Sequence, residues 1–183
     1  MGSIEFRDIH KAFGDNVVLR GVDLEVAPGE ILFIVGQSGA GKSVLVKHLV
    51  GLLRPDQGRI LLDGEDITDL SEEEFYRVRK RCAMVFQNST LFDSMSLLDN
   101  VALPLRKHRD ISRSAARELA VDYLDRVNMA DYADRAPAGF GDGMRKKVAI
   151  ARALTMNPEF VIFDEPTTGI DPMSAAVVND LIR

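Results

Sequence analysis

The sequence predicts an α/β fold, and three features predict it. Two segments near the N-terminus, IEFRDI (4–9) and VVLRGVDLEV (17–26), alternate apolar and polar residues as half-buried antiparallel strands do. Three later segments, ILFIV (31–35), RCAMVFQ (81–87) and FVIFDEP (160–166), are continuous apolar runs, the pattern of strands covered on both faces. Helical apolar spacing fills much of the sequence between them, and strands alternating with helices define the class.

In chain order, Gly14-Asp15-Asn16 is the turn that joins the first two strands. ILFIV is the expected central strand, and VLVKHLVGLL (44–53) the helix after it. GRILLDGEDI (58–67) supplies a further strand that ends in an Asp63-Gly64 turn. In LSEEEF (70–75), Ser71 and Glu74 form a capping box, so a helix starts at Glu72. After RCAMVFQ, a helical rhythm runs from Ser112 to Val127 through Ala116, Leu119, Ala120, Tyr123, Leu124 and Val127. Pro137 and the glycines after it break the pattern, which resumes from Lys146 to Leu154. No internal repeat, low-complexity tract or interdomain linker interrupts this order.

Composition narrows the function. The 183 residues carry a net charge of −5, which argues against a nucleic-acid partner, because a phosphate backbone calls for a strongly basic face. The basic clusters Arg77 to Arg81 and Arg145 to Lys147 read as solvated helix faces. A single cysteine, Cys82, allows no internal disulfide and fits a reducing cytoplasm. The apolar runs fall far short of the roughly 20 residues that cross a bilayer, and the opening MGSIEF has no secretory or myristoylation pattern. Any membrane role is therefore expected through a partner.

The chemistry is concentrated in two places. Directly after ILFIV, the octet Gly36, Gln37, Ser38, Gly39, Ala40, Gly41, Lys42 and Ser43 spells G-x-x-x-x-G-K-S/T, with Val44 opening the helical run. Glycines let the backbone curl so that N–H groups and a helix N-terminus face the phosphates of a nucleotide. Lys42 would reach the β and γ phosphates, and the Ser43 hydroxyl would hold Mg2+. Asp164 and Glu165 end FVIFDE, at the carboxyl end of a strand, where open α/β sheets place their ligands. Asp164 is the candidate for Mg2+ through water, and Glu165 the candidate general base.

These motifs resemble those of the ATPase subunits of ATP-binding cassette (ABC) transporters, over the whole chain. The resemblance implies a P-loop NTPase core with an N-terminal antiparallel β region and a helical subdomain at residues 88–152, the core being residues 1–87 and 153–183. It implies ATP and Mg2+ as ligands and Phe13 as the aromatic against adenine. Gln87 would touch Mg2+ and respond to a transmembrane permease subunit. Segment Gly139 to Met144 and the segment Gly169 to Pro172, similar to the family's D-loop, would meet a second ATPase subunit, identical or not. Lys42, Gln87 and Glu165 would then carry the catalysis. The run YRVRKRCAMVFQNSTLFDSMSLLDNVALPLRKH is similar to the Mce/Mla-type phospholipid transport ATPases, which implies a cytoplasmic protein peripheral on the inner membrane.

The chain departs from the family pattern twice. Phe140, Gly141, Asp142, Gly143 and Met144 stand on the five positions of the signature LSGGQ, so Gly141, Asp142 and Gly143 would face the partner's nucleotide without the serine. Asp142 would either repel that nucleotide or turn to Arg145 or Lys146. The family also has a switch histidine on a strand between the phosphate-loop strand and the Asp-Glu strand, and His10, His48 and His108 all precede it. The expectation is a fold without its C-terminal part, with strand edges and apolar faces left uncovered. These departures open a rival reading, a non-hydrolytic ABC-like module. A GTPase is disfavoured by the lack of an N-K-x-D segment after the phosphate loop, and an ABC protein acting on DNA or ribosomes by the acidic balance.

Overall fold

The computed structural model describes residues 2–167, so the D-loop-like Gly169 to Pro172 lies outside the described residues. The chain divides into two compact units, Met1–Cys82 and Ala83–Arg183.

In the first unit, β1 (Ile4–Phe13) and β2 (Asn16–Val26) form a hairpin in which Phe13 faces Asn16 across a two-residue loop. Gly14 takes φ 59° at the first loop position, as the predicted turn requires. β3 (Gln57–Leu62) pairs with β1, and β4 (Glu65–Asp66) closes an antiparallel sheet of order β2-β1-β3-β4. Asp63 and Gly64 both have positive φ, the two-residue turn read from the sequence. Ile4, Phe6 and Ile9 are all buried although 6 and 9 are out of step with a two-residue period. A register shift between Phe6 and Ile9 explains it: Asp8, at φ 51°, is the extra residue of a bulge that returns Ile9 to the core face. Gly58 accommodates this bulge, since a Cβ there would lie 2.3 Å from the Asp8 carbonyl oxygen.

Two helices complete the unit. α1 (Lys42–Leu49) buries Leu45, His48 and Leu49. Burial also lowers the pKa of His48, whose Nδ1 lies 2.6 Å from the Val44 carbonyl oxygen. α2 (Glu72–Arg81) starts where the capping box places it: Ser71 Oγ accepts from the Glu74 N–H, and the Ser71 N–H donates to Glu74 Oε2 at 2.8 Å. Arg79 on α2 donates through Nε to the Val50 carbonyl at 2.8 Å, satisfying an acceptor at the end of α1.

The expected central strand ILFIV is not a strand. Residues 31–35 pair with no described strand, and all five are exposed, Phe33 by 73% and Val35 by 92%. A run buried on both faces needs a ladder partner on each edge and a layer on each side, and no described residue supplies either.

In the second unit, β5 (Cys82–Val85) and β6 (Phe160–Phe163) form a two-stranded sheet. Three helices, α3 (Leu97–His108), α4 (Arg113–Arg126) and α5 (Asp142–Leu154), enclose a core of Leu97, Val101, Leu105, Ala116, Ala120, Leu124, Val148 and Ala151. α4 matches the predicted rhythm, except that Leu119 is 39% exposed. α5 begins at Asp142 rather than Lys146, because Gly141 takes the extended N-cap conformation and the glycine segment itself opens the helix. α3 was not legible, because Pro104 lies inside it and breaks the expected pattern. Buried Asn100 ties the segment before the helix to its first turn: its side chain accepts from the Phe92 N–H and donates to the Phe92 and Ser96 carbonyls at 2.8–3.0 Å. No helix among the described residues is long and apolar enough to cross a membrane.

Candidate functional site

In the first unit residues 36–40 of the octet form an exposed loop, buried Gly41 caps α1, and Lys42 and Ser43 open the helix. Gly41, its last glycine, has φ 91°, and a Cβ there would lie 2.8 Å from Leu19 Cδ2 and 3.0 Å from Val18 Cγ1. Conformation and space both require glycine, and the close approach seats the loop on β2. No side chain caps the start of α1 and no acid occupies its first turn. The positive end of the helix thus carries no compensating acid of its own, the arrangement that favours an anion such as phosphate. Lys42 Nζ donates to the Gly36 and Gln37 carbonyls, each at 2.9 Å, which holds the ammonium against the loop. These residues fit a nucleotide's phosphates, with Ser43 the second residue of the helix.

Phe13 ends β1 at the same hairpin end of the sheet, since Gly41 meets Val18 and Leu19 and Phe13 pairs with Asn16. Its ring is 48% exposed, with Lys11 Nζ 5.6 Å from the centroid. Asp56 fixes this corner, accepting from Lys11 Nζ and from the Ala12 N–H, each at 2.7 Å. The Lys11 bond, then the Ala12 bond, holds the Asp56 carboxyl below its usual pKa. The Lys11 ammonium therefore makes a cation–π contact with an exposed ring.

The acids lie in the second unit. Asp164 is buried, and its N–H donates to the Val85 carbonyl at 3.0 Å, extending the β5–β6 ladder by one residue. Glu165 turns out of the strand with φ 49°, a conformation uncommon for a residue with a Cβ. Such strain costs on the order of 1–3 kcal/mol and clusters at functional sites.

Gln87 is exposed just after β5, in a loop held by Arg152 and by Lys146, the latter read from the sequence as part of a solvated helix face. Lys146 is only 1% exposed, and its Nζ donates to the Phe86 carbonyl at 3.2 Å and the Gln87 carbonyl at 2.5 Å. Desolvation lowers its pKa, opposed by the nearby Asp142 and Asp164 charges. Arg152 donates to the Thr90 carbonyl at 2.9 Å, to the Ser89 carbonyl at 3.3 Å and to Thr90 Oγ1 at 3.2 Å. Ser89 and Thr90 both have positive φ, 59° and 45°. Lys146 belongs to a stripe of α5 with buried Gly143, Ala149 and Ile150, so helical spacing carried the signal for its burial.

Gly141 is the N-cap of α5, and Asp142 and Gly143 are its first two residues. Of the two outcomes expected for Asp142, the structure shows the turn to Arg145: Oδ1 accepts from Arg145 Nη2 at 2.9 Å. Both side chains are substantially exposed, 65% and 38%, so the pair is worth little. A carboxylate in the first turn of a helix adds its own favourable interaction with the dipole. Asp142→Asn is therefore expected to lower stability by only about 0.5–1 kcal/mol. Urea unfolding of the full chain checks this; a loss several times larger would mean that Asp142 does more than serve its own helix.

The fold and the phosphate loop define a nucleotide-binding α/β protein. The chain belongs to the ABC transporter family, whose model matches residues 19–168. It is 41% identical over 180 residues to the intermembrane phospholipid transport system ATP-binding protein MlaF of Haemophilus influenzae, covering 98% of this chain and 68% of that protein. It is 39% identical over 180 residues to the "Probable ribonucleotide transport ATP-binding protein mkl" of Mycobacterium leprae, covering 98% of this chain and 52% of the relative, so it spans about half of that protein. Among solved structures, an ATP-binding cassette captured as a dimer in a post-hydrolysis state with ADP and Pi superposes with a TM-score of 0.88 at 29% identity, covering 98% of this chain and 81% of that one.

Proposed function

We propose that this chain is the ATP-hydrolysing subunit of an ABC transporter that moves phospholipid between membranes. One observation carries the reading: a glycine-shaped loop leads into an uncapped helix start, with the Lys42 ammonium held against it. The loop from Gly36 to Ser43, with Val44, holds the phosphates of Mg2+·ATP, and Phe13 stacks on the adenine. Ser43, Gln87 and Asp164 would hold the metal, which would supply neutralising charge to the phosphates. Glu165 accepts a proton from the water that attacks the γ-phosphorus; the bond to the β–γ bridging oxygen breaks and ADP leaves. Gly139 to Met144 and Gly169 to Pro172 face a second ATPase subunit, identical or homologous. Residues 1–183 act as one cassette domain with 88–152 as its helical part, placed on the cytoplasmic face of the inner membrane by a permease.

The permease docks on an open groove of about 420 Å³ whose lining includes Phe92, Leu103, Pro104, Lys107, His108 and Arg152. Its apolar floor and the Lys107 ammonium at its edge suit an amphipathic segment bearing an acid. The identity to MlaF supports phospholipid as the cargo, while the similarity to mkl keeps a nucleotide cargo as the competitor. In the full-length chain assembled with its permease, ATP should drive transfer of a fluorescent phospholipid between donor and acceptor vesicles, and Lys107→Glu should weaken both transfer and permease-stimulated turnover. Turnover that moves a ribonucleotide and no lipid would reassign the cargo.

A non-hydrolytic, assembly-stabilising module is the second reading. Gly141 favours it, standing where the family's signature has a serine. ATP bound by the assembled complex without phosphate release would select it.

A further inference from the structure

We propose that Lys146 and Arg152, both on α5, are positioning residues that jointly hold the Phe86–Thr90 loop and so set the placement of Gln87. The inference rests on the reading of Gln87 as a residue that serves Mg2+. Between them the two cations reach the carbonyls of residues 86, 87, 89 and 90, all but one of the loop's five. Asp142 and Asp164 act on Lys146 through their charge, but the side-chain hydrogen bonds of both cations go to this loop. A cation bonded to a carbonyl is a stronger tether than a neutral donor.

The loop needs such a tether. Ser89 is buried at positive φ, and Thr90, a β-branched residue, follows it with φ 45°. Two consecutive left-handed residues with side chains do not hold themselves in place. The internal bond from the Ser89 N–H to the Phe86 carbonyl at 3.1 Å closes one turn, and Arg152 grips the next through backbone and hydroxyl together. The division of labour is specific: Lys146 fixes the half that carries Gln87, and Arg152 fixes the strained half that leads to the groove it also lines. The same helix is capped by Gly141 and begins with Asp142 and Gly143. A displacement of its first turn is therefore delivered to the Gln87 loop through a rigid element rather than through a flexible connection.

Hydrogen exchange on the nucleotide-free full chain tests the tether. In Lys146→Met, and more so in Lys146→Met combined with Arg152→Met, the amides of residues 86–90 should exchange about tenfold faster or more, the scale of a lost charge-assisted bond. Those of α4 should keep the parent rate. Lys146→Arg should restore protection, and Arg152→Lys, which lacks the fork, should expose residues 89 and 90 while sparing 87. These conservative variants decide the matter should the methionine variants not fold. Parent-like exchange at 86–90 in a folded variant would overturn the proposal. A second readout is the gain in ATP affinity on adding Mg2+, measured by calorimetry: it should fall several-fold in Lys146→Met, with Mg2+-free binding unchanged. Gln87→Ala is the reference. If that variant keeps the full gain, the metal role of Gln87 is wrong, and the exchange data still judge the tether.

Discussion

Lys42→Ala is expected to weaken Mg2+·ATP binding by about a hundredfold or more. The ammonium lies against the Gly36 and Gln37 carbonyls, each at 2.9 Å, so it is held at the loop before any ligand arrives. Bonds from an ammonium to phosphate oxygens are charge-assisted, and losing one costs about 1.5–3 kcal/mol, or roughly one to two powers of ten in affinity. In the proposed site Lys42 would reach both the β and γ phosphates and supply more than one such bond. The buried face of α1 is Leu45, His48 and Leu49, so the truncation leaves the packing of the helix in place. Isothermal calorimetry on the full chain measures the effect. Unchanged affinity in a folded variant would remove the octet from the nucleotide site.

What could be read from the sequence was what neighbouring residues settle among themselves. The capping box at Ser71 and Glu74, the Asp63-Gly64 turn and the glycine loop before α1 each close over a few residues, so their identities determine their shape. The register bulge at Asp8 is legible only in retrospect, as the slip between Phe6 and Ile9 that a strict alternation would forbid. ILFIV fails for the opposite reason. Its composition says what the run would do if partners flanked it, and ladder partners are a property of distant chain, absent among the described residues.

The same distinction governs the functional residues. Lys146 was grouped with its neighbours as a solvated basic face, yet its partners lie 59 and 60 residues away and its burial follows from the stripe it shares with Gly143 and Ile150. A charge in a buried stripe is costly unless its donors are satisfied, and that cost was the available warning. Asp142 illustrates the converse. Set against a nucleotide across an interface it poses an electrostatic problem; within its own chain it is a first-turn acid paired with Arg145. The local explanation is sufficient for its presence and leaves its effect on a partner's nucleotide to measurement.

Glu165→Gln is expected to leave ATP binding intact and to cut hydrolysis by about 10²–10⁴-fold, the contribution typical of a general base. The two acids that end β6 divide by geometry. Asp164 stays in the ladder through its N–H on the Val85 carbonyl and is 6% exposed, the environment of a group that supports a metal's shell. Glu165 leaves the strand at φ 49° and is only partly buried, which gives its carboxylate the access to water that a base must have. Glutamine preserves the size of the side chain and its ability to accept a hydrogen bond, and removes only its capacity to take up the proton. A binding defect is therefore not expected, and a rate defect is. Phosphate release from the full-length complex at saturating Mg2+·ATP, compared with affinity in the same variant, separates the two. Parent-level turnover in the glutamine variant would take the general base away from Glu165. Intact binding with no turnover in the parent complex itself would instead select the non-hydrolytic module, in which this carboxylate has no proton to accept.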